Sequence, residues 1–230
     1  NSIKSFMTMK RITTFIRLLV CLIFMAATTQ HALAAIDITA TQPANGTGTT
    51  ADPYQIGTPG ELYWFAAQVN AGKTTISAKL TADIVVNENV LDAGGALVGT
   101  PTNVWTPIGT NSNNFKGTFD GDGHTISGLY FNNTTNSDYP SGGNYIGLVG
   151  YASNSNMTIK NVGVVDSYFA GYSYVAGIAG RIDGGIIENC FSEATCICSS
   201  FDVAGIAGAA YNCTIKNCYN AGAISSLYNC

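Results

Sequence analysis

The sequence predicts an all-β protein: a right-handed parallel β-helix (β-solenoid) with one short helix capping its N-terminal end. Two internal repeats and the composition carry that expectation. Asn144-Tyr145-Ile146-Gly147-Leu148-Val149-Gly150 recurs as Tyr174-Val175-Ala176-Gly177-Ile178-Ala179-Gly180 and as Asp202-Val203-Ala204-Gly205-Ile206-Ala207-Gly208. Downstream of each lies a second strip: Thr158-Ile159-Lys160-Asn161-Val162, Ile186-Ile187-Glu188-Asn189-Cys190 and Thr214-Ile215-Lys216-Asn217-Cys218. Asn161, Asn189 and Asn217 are 28 residues apart, while Gly147, Gly177 and Gly205 are 30 and 28 apart. The chain of 230 residues is 46% hydrophobic but only 10% charged, with 26 glycines. An ordinary globular domain carries about 25% charged residues.

The first element is a targeting segment. Lys10, Arg11 and Arg17 form a basic region, Leu18 to Ala27 an apolar run too short to span a bilayer, and Ala32-Leu33-Ala34 a cleavage site. Residues 1–34 read as a signal peptide with a few upstream residues, and the mature chain as one without a transmembrane span. Cleavage takes four of the ten basic residues and none of the 14 acids, so the net charge moves from −4 to −8. An acidic chain without a basic stripe excludes nucleic acid as a partner.

Residues 35–131 read as an N-terminal cap followed by early, irregular coils. Thr58-Pro59-Gly60-Glu61 has capping-box spacing with proline at the first helical position. Leu62, Phe65, Ala66 and Val69 follow a helical apolar stripe, and Gly72 suits the stop. That places a helix over 59–71, shielding strand edges that would otherwise template aggregation. Strands fall near 75–86 and 115–131. Residues 132–143, rich in Asn, Ser, Thr and Gly, read as an inserted loop that lengthens the offset from Ile126 to Ile159 to 33.

Residues 144–230 hold about three repeats. Each is a set of short apolar strips bounded by Gly, Asn and Ser, with no stretch of helical periodicity. A 28-residue unit of this kind buries its apolar face only by stacking on its neighbours, strand on equivalent strand about 4.8 Å apart. Ile159, Ile187 and Ile215 then form one interior column, and Leu148, Ile178 and Ile206 another. The structural repeat residues are Gly147, Gly150, Gly177, Gly180, Gly205, Gly208, Asn161, Asn189 and Asn217. The asparagines suit left-handed bends and ladder hydrogen bonding; sugar binding is the functional alternative for them. Lys160, Glu188 and Lys216 share an outward column of alternating sign, worth about 0.2–1 kcal/mol per pair. Because the next glycine strip is due where the sequence stops at Cys230, a truncated product is expected.

Cys190 and Cys218 are one period apart and read as stacked buried thiols, with a disulfide as the alternative. Cys196 and Cys198 share a strand face. Asp120-Gly121-Asp122-Gly123-His124 offers two carboxylates, Asp120 and Asp122, that could begin a calcium loop. The twelfth position is Phe131 rather than Glu, so the segment reads as a tight turn with His124 beside it. No HExxH or GxSxG motif occurs, and no cofactor is expected.

The strips Ile146-Gly147-Leu148-Val149-Gly150 and Ile187-Glu188-Asn189-Cys190-Phe191 resemble the GLUG motif of bacterial surface and secreted proteins. The likeness covers Asn144 to about Ser226, with Ala179 and Ala207 departing from the larger residue usual there. Asp52-Pro53-Tyr54-Gln55-Ile56 and Phe115-Lys116-Gly117-Thr118-Phe119-Asp120-Gly121 are similar to the region that often precedes such repeats. The resemblance implies a secreted or cell-surface bacterial adhesin-like module; some relatives carry a metallopeptidase domain elsewhere. The expected function is non-enzymatic: a structural, adhesive stalk that binds a host or matrix protein or glycan. The alternative is a carbohydrate-active β-helix, a polysaccharide lyase or hydrolase. That would need clustered carboxylates with a nearby Arg or Lys, whereas Asp166, Asp183, Glu188 and Glu193 are scattered in sequence.

Overall fold

The computed structural model describes residues 37–135 and 143–226. The expected signal peptide, most of the 132–143 loop, and Cys230 lie outside the described residues. Residues from 37 onward form one compact unit, a parallel β-solenoid of about six turns with, among the described residues, a single short helix.

The strips stack into four sheets; the middle rungs contribute to all four and the end rungs to fewer. Sheet A contains β1 (Tyr54–Ile56), β2 (Ala78–Leu80), β4 (Thr118–Asp120), β9 (Thr158–Lys160), β13 (Ile186–Glu188) and β17 (Thr214–Lys216), in that spatial order. Sheet B contains β3 (Ile84–Val85), β5 (Thr125–Ser127), β10 (Gly163–Val165), β14 (Phe191–Ser192) and β18 (Tyr219–Asn220). Sheet C contains β6 (Tyr130–Asn132), β11 (Tyr168–Ala176), β15 (Thr195–Ala204) and β19 (Ile224–Ser226), with β7 (Asn144–Ile146) also pairing β11. Sheet D contains β8 (Val149–Ser153), β12 (Ala179–Asp183) and β16 (Ala207–Tyr211). All named strand pairings are parallel, as stacking of like on like requires.

The repeat register is seen directly. Ile159, Ile187 and Ile215 pair across β9, β13 and β17, beneath Phe119 of β4. Val149 stacks on Ala179 and Ala207, which carries Leu148, Ile178 and Ile206 into one column. The early coils differ from the sequence expectation in register. Ile126 does not lie under Ile159: it pairs with Val164 in sheet B, and Phe119 takes the place under Ile159. The offset is therefore 40 residues in sheet A and 38 in sheet B. Matching aliphatic to aliphatic misplaced the strand, because a Phe in that interior column fills space left by the small Ala78 one rung earlier.

The helix α1 (Pro59–Asn70) ends one residue earlier than expected. Thr58 Oγ1 accepts from the Glu61 amide, and the Glu61 carboxylate accepts from the Thr58 amide, a complete capping box. Its inward face, Leu62, Phe65, Ala66 and Val69, is fully buried. Phe65 sets its ring edge-on to Phe115 and tilted to Phe119, both at 6.0 Å. The helix thus closes the N-terminal end of the core with aromatic surface. Trp105 is fully buried beside it, with Tyr63 edge-on at 5.2 Å and its indole N–H donating to Gly147 O at 3.0 Å.

The recurring glycines answer to close backbone approach. A Cβ on Gly180 would lie 2.6 Å from Ile146 N, Tyr145 C and Tyr174 O, and one on Gly208 2.7 Å from Gly180 O. No side chain fits where one rung's corner presses on the next.

Candidate functional site

Three outer features could carry function: the ladder beside sheet A, a groove at the sheet B–C edge, and an aromatic corner between sheets C and D.

The ladder begins at the Asp-Gly-Asp-Gly-His segment. Asn161, Asn189 and Asn217 all adopt left-handed backbone, with φ of 54°, 53° and 54°. Asn217 Nδ2 donates to Asn189 Oδ1 (3.2 Å), Asn189 Nδ2 to Asn161 Oδ1 (3.0 Å), and Asn161 Nδ2 to Asp120 Oδ1 (3.0 Å). The column therefore serves both expected structural purposes, and Asp120 is its first member. Beside it, Lys79, Asp120, Lys160, Glu188 and Lys216 stack in register with alternating sign. Ion pairs join Lys160 to Asp120 (3.2 Å) and Lys216 to Glu188 (2.8 Å).

Asp120 also accepts from the Asp122 amide (3.0 Å), and Asp122 pairs with Lys79 (3.0 Å). Asp122 and Gly123 have φ of 51° and 89°, and the His124 amide donates to Gly121 O, which closes a tight turn. His124 Nδ1 faces Asp83 Oδ1 at 3.3 Å. Asp120 and Asp122, the two carboxylates that could begin a calcium loop, thus pair with lysines, and among the described residues no group of three His, Cys, Asp or Glu side chains is placed to hold a metal ion.

Burial pushes the Asp120 carboxyl up. The Asp122 and Asn161 N–H groups and the Lys160 ammonium outweigh that and hold it below the usual carboxylate range. A depressed native value stabilises the fold above the unfolded value of about 3.9 and loses that contribution as pH falls through the native value. Asp120→Asn keeps the ladder acceptor and removes the charge. The expected result is a lower denaturation midpoint than wild type at pH 7, with the gap closing by pH 2.

The cysteines follow the stacked-thiol expectation in part: Cys190 is buried, while Cys218 is only half-buried. Cys190 and Cys218 are unbridged neighbours, each Sγ donating to the carbonyl two residues back at 3.2 Å. Burial pushes the Cys190 and Cys196 thiols up to about 12, so almost no thiolate exists near neutrality. Iodoacetamide at pH 8 should leave Cys190 and Cys196 unmodified in the native chain and label them after denaturation, as read by peptide mass spectrometry.

The groove, about 610 Å³, is bounded by Leu91–Gly95, Asp166, Glu193, Thr195 and Ala221–Ala223. It brings together three carboxylates that are distant in sequence: Asp92, Asp166 and Glu193. Two of them serve the backbone. Asp166 accepts from the Val90 and Leu91 amides, and Asp92 from Gly94 and Ala96. Among the described residues that bound the groove there is no Lys or Arg.

The aromatic corner was not foreseen from the sequence. Tyr145, Tyr174 and Asp202 occupy one column, each in left-handed backbone with φ of 61°, 57° and 61°. Asp tolerates that conformation; a bulky tyrosine is an outlier there. The Tyr145 and Tyr174 rings stack at 5.1 Å and 8°, and Tyr151 stacks on Tyr145 at 5.4 Å. Across sheet D, the Arg181 guanidinium sits between the Tyr151 and Tyr211 rings, 4.9 and 5.0 Å from their centroids, with Asp183 at 3.8 Å. Arg181 Nε is buried with no hydrogen-bond partner, whereas the rings around it reach solvent and Tyr211 is 47% exposed. Four aromatic rings, a cation and a carboxylate thus make one outward-facing surface over three rungs. It can offer phenol hydroxyls, ring edges and a guanidinium to a polar ligand.

The glycines are 30 residues apart in the first two copies, but the tyrosines are 29 apart. Aligning by glycine sets Tyr145 beside Val175. In the structure Ile146 pairs with Val175 and Val149 with Ala179, so the earlier corner is one residue shorter and the tyrosines meet.

Comparison with known proteins finds one similar chain, a protein of Evansella cellulosilytica provisionally named a Gly-rich membrane protein. It is 30% identical over 186 residues, which is 79% of this chain and 19% of that relative. The chain therefore spans about a fifth of the relative's length. No family model matches, and no solved structure matches. Among the described residues, no helix is long and apolar enough to cross a membrane.

Proposed function

We propose that this chain is a cell-surface or secreted bacterial module, structural and adhesive, which presents its tyrosine–arginine corner to a host or matrix protein or glycan. The observation that carries the reading is the pair of tyrosines held in left-handed backbone at the surface. The corner's fold demands that backbone, since Asp202 shares it, but not the tyrosine side chains. Such strain costs about 1–3 kcal/mol per residue, and ring stacking offsets about 0.5–1.5 kcal/mol. The remainder is consistent with selection for what the rings present. The GLUG-like strips and the membrane-protein name of the relative agree with a surface location.

The test is binding of the full chain to arrays of immobilised matrix proteins and glycans, beside a Tyr145→Asn, Tyr174→Asn variant. Asparagine suits the backbone, so the variant should keep its melting temperature within a few degrees. Binding should fall at least tenfold. Equal binding by both proteins, or none by wild type, would refute the reading.

A further inference from the structure

The tyrosine–arginine corner repeats its outward groups at the height of one rung. Tyr145, Tyr174 and Asp202 follow one another along a single column, and the two tyrosine rings lie 5.1 Å apart at 8°. That matches the spacing of about 4.8 Å between stacked strands. Stacking turns the ring faces toward one another, so edges and hydroxyls are what the tyrosines present outward. Left-handed backbone and ring stacking fix both side chains before any ligand arrives, which lowers the entropy lost on binding.

Charge narrows what this surface takes. Arg181 is the single basic residue between Lys160 and Lys216, against five acids, Asp166, Asp183, Glu188, Glu193 and Asp202. Its guanidinium is already engaged, with the Tyr151 and Tyr211 ring centroids at 4.9 and 5.0 Å and Asp183 at 3.8 Å. An anionic ligand would meet two carboxylates of the corner, Asp183 and Asp202, for one committed cation. Repeat length narrows the ligand further. A peptide strand laid along the stack rises roughly 3.3 Å per residue, so its same-face side chains recur about every 6.6 Å, out of step with the rungs. An amphipathic helix needs an apolar groove, whereas this corner presents phenols, carboxylates and a guanidinium. An extended pyranose chain with equatorial linkages advances by about one rung per sugar.

We infer that the corner is a binding site for a neutral, equatorially linked glycan lying along the stack, one sugar to each rung. The phenol hydroxyls of Tyr145 and Tyr174 donate to and accept from sugar hydroxyls on two successive rungs. Asp202 accepts from the next sugar, a stronger bond because its acceptor is charged. The tyrosine edges pack against sugar C–H groups. This ligand class rests on the adhesive reading of the corner and names the glycan within it.

Isothermal titration calorimetry of the full chain against hexasaccharides is the test. Cellohexaose and β-1,4-mannohexaose are neutral with equatorial linkages. The β-1,4-mannuronate hexamer keeps the linkage and adds charge, and maltohexaose stays neutral but has an axial glycosidic bond. At least one neutral equatorial hexamer should bind, about tenfold tighter or more than both the mannuronate hexamer and maltohexaose. Tyr145→Phe, Tyr174→Phe keeps the stacked rings and removes only the hydroxyls, so it should hold its melting temperature and weaken that binding about tenfold. The inference fails if neither neutral equatorial hexamer binds, or if the charged or axially linked hexamer binds as tightly. It fails equally if the phenylalanine variant binds like wild type. Binding to immobilised matrix proteins that is lost in Tyr145→Asn, Tyr174→Asn, with neither neutral equatorial hexamer bound, would overturn this inference and leave the adhesive reading standing. Absence of binding to every glycan and matrix protein would overturn both.

Discussion

Trp105→Ala is expected to cost about 3–5 kcal/mol, the range for deleting a fully buried large aromatic. Trp105 is fully buried, fills the space between α1 and the 144–150 corner, and donates its indole N–H to Gly147 O. Alanine removes the volume and orphans a buried carbonyl together. Trp105→Phe separates the two, since it keeps most of the ring and loses the donor at about 1–3 kcal/mol. Urea denaturation of the three proteins should order them wild type, Phe, Ala. Against a total stability of about 5–15 kcal/mol, that loss is a large fraction, so the alanine variant is expected to unfold at a clearly lower urea concentration than wild type. A midpoint within error of wild type would mean that the helix does not seal the core through this residue.

Gly180→Ala should cost about 3 kcal/mol, the upper part of the usual overpacking range. The new Cβ would lie 2.6 Å from three backbone atoms of two neighbouring rungs, and none belongs to a side chain that can swing away. For a chain of this size that is about 6–12 °C in melting temperature. Gly99→Ala is the matched comparison. Gly99 has φ of 68° but nothing within 4 Å of its added Cβ, so only backbone strain of about 1–2 kcal/mol applies. A melting temperature for Gly180→Ala equal to that of Gly99→Ala would show that the corners part easily.

Much of the fold was legible because a solenoid writes its geometry into the sequence as a period. Asn161, Asn189 and Asn217 keep one spacing because each needs the same left-handed bend and the same neighbour above and below. The capping box at Thr58 and Glu61 was equally legible, being local. The early coils were less so. Ile126 and Phe119 both lie in short strands seven residues apart, and only packing against Ala78 and Phe65 shows which of them enters the Ile159 column. Half of the charge ladder was visible as Lys160, Glu188 and Lys216; Lys79 and Asp120 lie outside the regular period and join it only in space.

The aromatic corner shows the limit most plainly. Tyr145 and Tyr174 were present within the quoted strips, but glycine-based alignment put them one residue apart. Residues before and after a corner count independently, and a one-residue shortening between Ile146 and Val149 realigns the rings without moving the sheets. Arg181 gave no signal, because its two ring partners come from the rungs on either side. The sequence by itself determined that the chain stacks, with what period, and which residues bend it, since those follow from repetition and local backbone preference. Only the tertiary structure decided which side chains of different rungs share a column, because that depends on how corners of unequal length pack against one another.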